Sequence, residues 1–467
     1  MADDGNIVRL AELQEPKVLP PPSLPMMVAR VFVHERCLFE DTLTLRHWRG
    51  TFWQWRNSYW VELEDRVVRS GLYNFTEHAV YVNSDGDTVG WAPNRRKIAD
   101  LLEALVAVCI LSGDIDQPSW LDGTSTNVIV AVNNGLLDVE RRRLLPHTPN
   151  FFNQTSVPFD YDPDAPLPVK WAAFLEEIWP DEPDAIDALG EWFGYVIAGL
   201  LHLHKIMLMV GPTRGGKGII ARVLGALIGK KNVAGPTLNS LGGDFGLMPL
   251  IGKPLAVVSD ARFTGKNSNI IIERLLSISG EDTLTVNRKY KDHWTGKLPC
   301  RLHVISNELP KLGDASTAIV GRLIVLRTTR SWLGKEDHEL EKRLHTELPG
   351  ILNCALDGLK RLTIDNGNAF TRVASADEAI IAMRDLASPV AAFVRAHCET
   401  GHGKEVDVDA LYDAFKTWCQ DNNETQNSKS VFGRNLAAAF PSIRKERQRD
   451  GKERANVYVG IALRKSA

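Results

Sequence analysis

Three observations predict an α/β chain built on a parallel sheet. Residues 206–210 (Ile-Met-Leu-Met-Val) are an unbroken apolar run, followed by the glycine-rich stretch 211–218 and then by helical spacing over 219–228. A second apolar strand, 254–260, ends in Asp260, and a third strand, 301–306, leads to Asn307. Helical patterns flank this region at 169–179 and 184–201 before it, and at 336–343 and 351–362 after it. Short continuous apolar runs are the mark of strands buried on both faces, and helices are what cover such a sheet.

Composition sets the outer limits. A chain of 467 residues has room for about three domains. Hydrophobic content of 44% and charged content of 24% belong to an ordinary globular protein. The net charge of −3 creates no global field toward nucleic acid or an anionic membrane, so any DNA contact must come from local basic patches. The six cysteines have no close pairs, which argues against zinc and a disulfide framework and fits a reducing cytoplasm. The acidic start Met1-Ala-Asp-Asp does not read as a signal peptide. Residues 192–210 resemble a membrane span at first, but His202, His204 and Lys205 interrupt them, so they read as helix then strand.

Along the chain, residues 1–25 are polar and then proline-rich, and are expected to form a flexible arm. Residues 26–165 are expected to form an α+β domain. Within it four tryptophans (Trp48, Trp53, Trp55, Trp60) interleave with arginines at strand-like spacing. Such a mixture can stack on bases and neutralise phosphates, or it can be the aromatic core of a small β-unit. Helical spacing follows at 98–111, then strand, turn and strand over 128–138. A catalytic centre using two metals needs clustered acids, and the early pairs Asp3-Asp4 and Glu40-Asp41 do not end buried strands. Residues 166–200 read as a helical collar, a place where subunits could pack.

The core is expected over 201–370. Gly211, Pro212, Thr213, Arg214, Gly215, Gly216, Lys217 and Gly218 form G-x-x-x-x-G-K-G between a strand and a helix. Glycines let the backbone curl so that its N–H groups converge on a phosphate, the helix N-terminus adds partial positive charge, and Lys217 reaches the outer phosphates. Position 218 usually carries Ser or Thr, whose hydroxyl ligates Mg²⁺, and here it is glycine. Any metal must then rely on a carboxylate elsewhere. Asp260 ends the second strand on the edge where ligands of parallel sheets bind, and it can hold the metal or polarise water. Asn307 takes the matching place on the third strand. Residues 280–292 read as a hairpin bearing Arg288, Lys289 and Lys291 near its tip. Its lysines can equally be edge protection against aggregation. Arg322 closes Ala-Ile-Val-Gly-Arg before a further apolar run at 323–326.

Residues 385–467 read as three helices (389–397, 408–421, 428–440) and two strands (443–449, 457–463), the pattern of a winged helix. From position 428 to the end there are ten Lys/Arg against three Asp/Glu. That local excess is the footprint of a duplex-DNA reader, with Lys429, Arg434, Arg444, Lys445 and Arg447 as its main candidates. A solvated basic face would have the same composition.

In order, the GPTRGGKG loop, Val-Val-Ser-Asp260, the basic hairpin, Ser-Asn307-Glu-Leu-Pro and Ala-Ile-Val-Gly-Arg322 resemble the superfamily-3 helicases, a branch of the ring-forming AAA+ ATPases. More narrowly the chain resembles the helicase part of phage and plasmid primase-helicases and their poxviral relatives. The stretches around His147-Thr-Pro-Asn-Phe-Phe and Phe159-Asp-Tyr-Asp-Pro extend the likeness upstream to about Trp48. The resemblance implies an AAA+ P-loop ATPase core using ATP and Mg²⁺, with Lys217 on the β/γ-phosphates, Asp260 on metal and water, and Asn307 as polar sensor. It makes Arg322 a finger into the neighbouring subunit of a hexameric ring. Lys289 and Lys291 would then grip single-stranded DNA. The expected function is an ATP-dependent helicase, moving 3′ to 5′ on forked DNA in the replication of a phage or mobile element in the cytoplasm of a bacterial host. A separate primase or initiator is the expected partner, since fewer than fifty residues before Trp48 leave no room for a primase domain, and no membrane is involved. Two other readings stay open. One is an ATP-gated origin-binding or loading factor, and the other is a nucleotide-binding DNA scaffold with little hydrolysis. Two departures from the family pattern stand out: Gly218, and the single carboxylate of the acidic motif.

Overall fold

The computed structural model describes residues 16–124, 127–261, 268–289, 293–310, 316–422, 424, 426–450 and 453–464. The chain divides into two compact units, Met1–Tyr161 and Asp162–Ala467.

In the first unit three helices, Pro25–Arg36, Asp65–Thr76 and Arg95–Cys109, pack one apolar cluster that includes Val28, Leu72, Ile98 and Leu105. An antiparallel sheet of Leu45–Trp48, Thr51–Trp55 and Trp60–Leu63 adds Leu45 and Phe52 to it. The tryptophans settle the choice left open by the sequence. Trp48, Trp53, Trp55 and Trp60 are all at most 7% exposed and gather around Phe152, with Trp48 and Trp60 meeting its ring edge-on at 5.1 and 5.4 Å. These rings are core, because successive side chains of a strand alternate and tight turns fold the hairpin's inner face onto Phe152. Part of the expected flexible arm is also ordered. Val80 N donates to Lys17 O at 2.9 Å, Leu19 N donates to Val80 O at 2.8 Å, and Leu19 is buried. The prolines that follow turn the chain, with Leu24 N donating to Pro21 O at 2.9 Å, into helix Pro25–Arg36. Residues 1–15 lie outside the described set.

The second unit is organised around a five-stranded parallel sheet. Its spatial order is Val233–Ala234, Leu255–Val258, Arg301–Ser306, Ile206–Val210, Leu323–Arg327. The strand that feeds the glycine loop thus lies between two others, and the strand leading to Asp260 is two places from it. Every residue of Ile206–Val210 and Arg301–Ser306 is buried, which explains the unbroken apolar run of the first, while the second buries Arg301, His303 and Ser306 along with its apolar residues.

The collar helices Val169–Ile178 and Pro183–Ile197 are packed within this unit. The second crosses helix Leu348–Lys360 at very close range. A Cβ on Gly194 would fall 2.4 Å from Ala355 O, and one on Gly358 would fall 2.4 Å from Gly190 C. Beside that crossing Glu191 has no exposure, and its carboxylate accepts from Arg361 Nε at 2.9 Å, Thr371 N at 2.7 Å and Thr371 Oγ1 at 2.5 Å. A buried charge this well satisfied fixes its partners, since removing any of them strands it. Glu182 receives Ser375 N at 2.9 Å, at the start of helix Ala374–Ala387.

The last part runs helix Pro389–His397, strand Cys398–Asp407, helix Val408–Asp421, helix Lys429–Ala439, and strands Arg444–Asp450 and Glu453–Leu463. The strands form one antiparallel sheet with Glu453–Leu463 in the middle. Cys398–Asp407 has no counterpart in the sequence reading. Its Glu-Thr-Gly-His-Gly-Lys run is almost wholly exposed and carries a register shift between Thr400 and Glu405, so it shows no apolar alternation.

His303 is fully buried in the parallel sheet, near Trp192, and neither ring nitrogen has a hydrogen-bond partner. Burial pushes its pKa down to about 4 from an ordinary 6.5. The folded state holds it neutral, so its contribution to stability is complete above pH 6.5 and is lost as pH falls toward 4, where the unfolded chain takes the proton first. About 3 kcal/mol of stability should therefore drain away across that window. In urea unfolding measured from pH 7 to 4, His303→Leu should flatten this part of the profile.

Candidate active site

The glycine loop leaves the sheet at Val210, level with Ser306 and Arg327 on its two neighbours. Its glycines are required by the close approach of Thr328. Gly211 has φ +155°, and a Cβ there would fall 2.1 Å from Thr328 O. One on Gly215 would meet Thr328 Oγ1 at 2.8 Å, and Gly216 turns left-handed at φ +82° against Ile178 and Phe174 of the collar. Helix Lys217–Ile228 starts directly after this turn. A loop pressed flat on its neighbours in this way exposes backbone rather than side chains to whatever lies above it.

Lys217 is only 4% exposed. Its ammonium donates to Gly211 O and Pro212 O, each at 2.7 Å, and to Asn307 Oδ1 at 3.3 Å. Burial lowers its pKa, and the charge of Asp260 opposes that shift. Asp260 adopts φ +51° just beyond its strand. The following residue is pinned to the asparagine strand, with Ala261 N donating to Ile305 O at 2.9 Å. Three separate strand ends thus deliver Lys217, Asn307 and Asp260 to a single pocket of about 840 Å³. That size is ordinary for a small-molecule site, and the C-terminal edge of a parallel sheet is where such sites lie.

Thr213, Arg214, Gly215, Gly216 and Gly218 also line the pocket. The loop is braced from a segment that sequence reasoning missed. Ser331 Oγ donates to Thr213 O at 2.7 Å, Trp332 N donates to Arg214 O at 3.1 Å, and Glu336 pairs with Arg214 Nε at 3.3 Å. Trp332, Glu336 and Arg343 form part of the wall, and Lys170, Phe174 and Glu177 of the first collar helix form another. Thr328 and these wall residues sit in no motif, and only the folded chain brings them to the loop.

Arg322 is not brought to this pocket. It precedes its strand, at the opposite edge of the sheet, and its guanidinium donates to Leu276 O and Ser279 Oγ at the end of helix Ser268–Ser279. The expected hairpin forms from Leu284–Val286 and Trp294–Gly296, with Arg288 and Lys289 just past its first strand. Lys291 lies outside the described residues. In the last part of the chain Lys429, Arg434 and Lys445 line one cleft with Tyr458. Arg447 is on the same face of its strand as Lys445, and Arg444 is on the other. Lys429 is paired with Asp409.

Three family models match the chain. One described as "D5 N terminal like" covers residues 35–180, one described as "Poxvirus D5 protein-like" covers 387–464, and a family of unknown function (DUF5906) covers 209–322. The matches support a D5-like primase-helicase family. Two of the three models are thus D5-like, and each covers less than half of the chain. Among solved structures, the A-form apo structure of the NrS-1 C-terminal region is similar at 10% identity and TM-score 0.51, covering 93% of this chain and 99% of that one. A second A-form apo structure of that region, residues 305–718, is similar at 11% identity and TM-score 0.50, again over 93% and 99% of the two chains. At such identity the likeness is one of fold. Among the described residues no helix is long and apolar enough to cross a membrane, and no cluster of three or more His, Cys, Asp or Glu could hold a metal.

The loop geometry separates its glycines. Gly211→Ala should unseat residues 211–216 from Thr328, whereas Gly218→Ala should not, since only the Arg222 guanidinium lies near a Cβ there. Amide hydrogen exchange across 208–222 should rise sharply in the first variant and stay unchanged in the second.

Proposed function

We propose that this D5-like chain is an ATP-driven motor on DNA: an AAA+ core of superfamily 3 that works as a ring, most simply a hexamer, and separates strands. The convergence of Lys217, Asn307 and Asp260 on the glycine-loop pocket carries this reading. The strand order supports it, because the strand leading to Asp260 stands two places from the loop strand, with the strand leading to Asn307 between them.

The pocket fits a nucleoside triphosphate and a divalent cation in chemical terms. Glycines that cannot accept a Cβ leave backbone N–H groups to receive phosphate oxygens at a helix N-terminus. Lys217 is held by two carbonyls that phosphate oxygens can replace as partners. Mg²⁺, when bound, neutralises the phosphates, and Asp260 is the carboxylate placed to hold it together with nucleotide oxygens and water. Asn307, aligned by its bond to Lys217, orients water toward the terminal phosphate. With no hydroxyl at 218, the loop itself offers the metal no side-chain ligand, which favours slow turnover and keeps the loading-factor and scaffold readings as the alternatives.

Arg322 acts in a neighbouring subunit's site only if its guanidinium leaves Leu276 and Ser279. The hairpin bearing Arg288, Lys289 and Lys291 faces single-stranded DNA in this reading. The helix–strand–helix–helix–strand–strand order of the last part is that of a winged helix, whose basic cleft would take duplex DNA at an origin or fork. A separate primase or initiator would complete the apparatus.

ATP hydrolysis by purified protein with Mg²⁺ decides the matter. Turnover should rise with single-stranded DNA and fall to background in Lys217→Ala, and Asp260→Asn should lower it by roughly a hundredfold or more. Nucleotide binding without turnover in any oligomeric state would hand the reading to the scaffold. For the basic cleft, the double substitution Arg434→Ala and Lys445→Ala should weaken duplex binding and reduce the slope of log affinity against log salt by about two. An unchanged slope in filter binding or anisotropy would remove the cleft from the DNA-binding surface.

A further inference from the structure

Helix Lys217–Ile228 sets residues 218 and 222 one turn apart on the same face. Long side chains on a helix lie back toward its N-terminus, so a residue at 222 naturally covers position 218. Arg222 does this. Its Nη1 would stand 3.2 Å from a Cβ built on Gly218. The guanidinium is anchored from behind, with Nε donating to Glu341 Oε2 at 2.6 Å. Glu341 belongs to helix Leu340–His345, and Arg222, Glu341, Lys217, Gly218 and Asp260 all line the one pocket. A side chain at 218 would take the lane through which Arg222 reaches forward. The absence of a Cβ there and the presence of an arginine four residues on are thus two halves of one arrangement.

We propose that Arg222 is a phosphate-binding residue of this site, a cation supplied by the same chain at the place where a serine or threonine would otherwise recruit a metal ion. The inference rests on reading the pocket as a nucleotide site. A guanidinium presents several donors in one plane and pairs with phosphate oxygens two at a time, with a full positive charge and no dependence on a bound ion. Glu341 aims it, leaving its terminal nitrogens toward the pocket. The consequence is specific: triphosphate affinity in this protein should depend less on divalent cation than a hydroxyl-bearing loop would allow.

The test is titration of methylanthraniloyl-ATP into the full-length protein, with Mg²⁺ and with EDTA. The wild type should bind in both conditions, with affinities within about tenfold of each other. Arg222→Gln should lose roughly tenfold or more, most of it in EDTA, and Arg222→Lys should recover part of that loss. Gly218→Ser should shift binding toward Mg²⁺ dependence, because its hydroxymethyl group displaces the guanidinium. Glu341→Gln breaks the ion pair yet keeps the cation, so it should lose only about threefold. Circular dichroism of each variant checks that the fold is intact. Equal losses in Arg222→Gln and Glu341→Gln would make Arg222 a structural partner of Glu341 and overturn the proposal. So would an Arg222→Gln protein that binds like wild type while Lys217→Ala does not. If the wild type binds no nucleotide in either condition, the pocket reading itself fails.

Discussion

The contact between the glycine loop and Thr328 is the constraint on which the rest of the site depends. Residues 211 and 215 lie so close to the end of the edge strand that no side chain fits between them. That closeness turns the loop's carbonyls toward Lys217 and places the helix start directly over the sheet. It also explains why the wall beyond Thr328 belongs to the site, since Ser331 and Trp332 continue the same strip of chain and hold the loop from its outer side. Asn307 and Asp260 reach the pocket because two neighbouring parallel strands end at the same edge. The sheet aligns these groups, and the loop is fitted to the sheet.

Charge in this pocket is arranged in held pairs. Arg214 faces Glu336, Arg222 faces Glu341, and Arg343 faces Asp337, each acid lying on the segment after the last core strand. Pairs as exposed as these contribute little to stability. For Arg214 and Arg222, each held through Nε, the effect is on direction, because the terminal nitrogens stay aimed, whereas Arg343 gives both of its terminal nitrogens to Asp337. An anion entering the pocket meets several cations already turned toward it, which reduces the ordering that binding would otherwise require.

Much of the core was legible because its strands are buried on both faces. The sequence shows 206–210 as an apolar run and 301–306 as a strand, and the structure has strands at the same residues. Helices 389–397 and 408–421 were legible through regular apolar spacing, and they recur unchanged. The strand Cys398–Asp407 was invisible because its side chains are solvated and its register slips. The tryptophan-rich stretch was ambiguous by nature, since alternation of aromatic and basic residues looks the same whether the rings face a partner or a core. Arg222 and Trp332 were missed because neither belongs to a spaced motif. The guanidinium of Arg322, to which the resemblance assigns a role across a subunit boundary, rests on the end of helix Ser268–Ser279.

Glu191 gives the molecule a mechanical property. Its buried carboxylate holds Arg361 at the end of one helix and Thr371 three residues before the next helix starts at Ala374, while Glu182 grips the start of that helix at Ser375. The connector between core and C-terminal region is therefore closed at its base, because both of its ends meet on one carboxylate of the collar helix. A load applied through it is delivered to the collar helix that crosses at Gly194, and through Trp179, whose indole donates to Arg327 O at 2.5 Å, to the strand that carries Thr328.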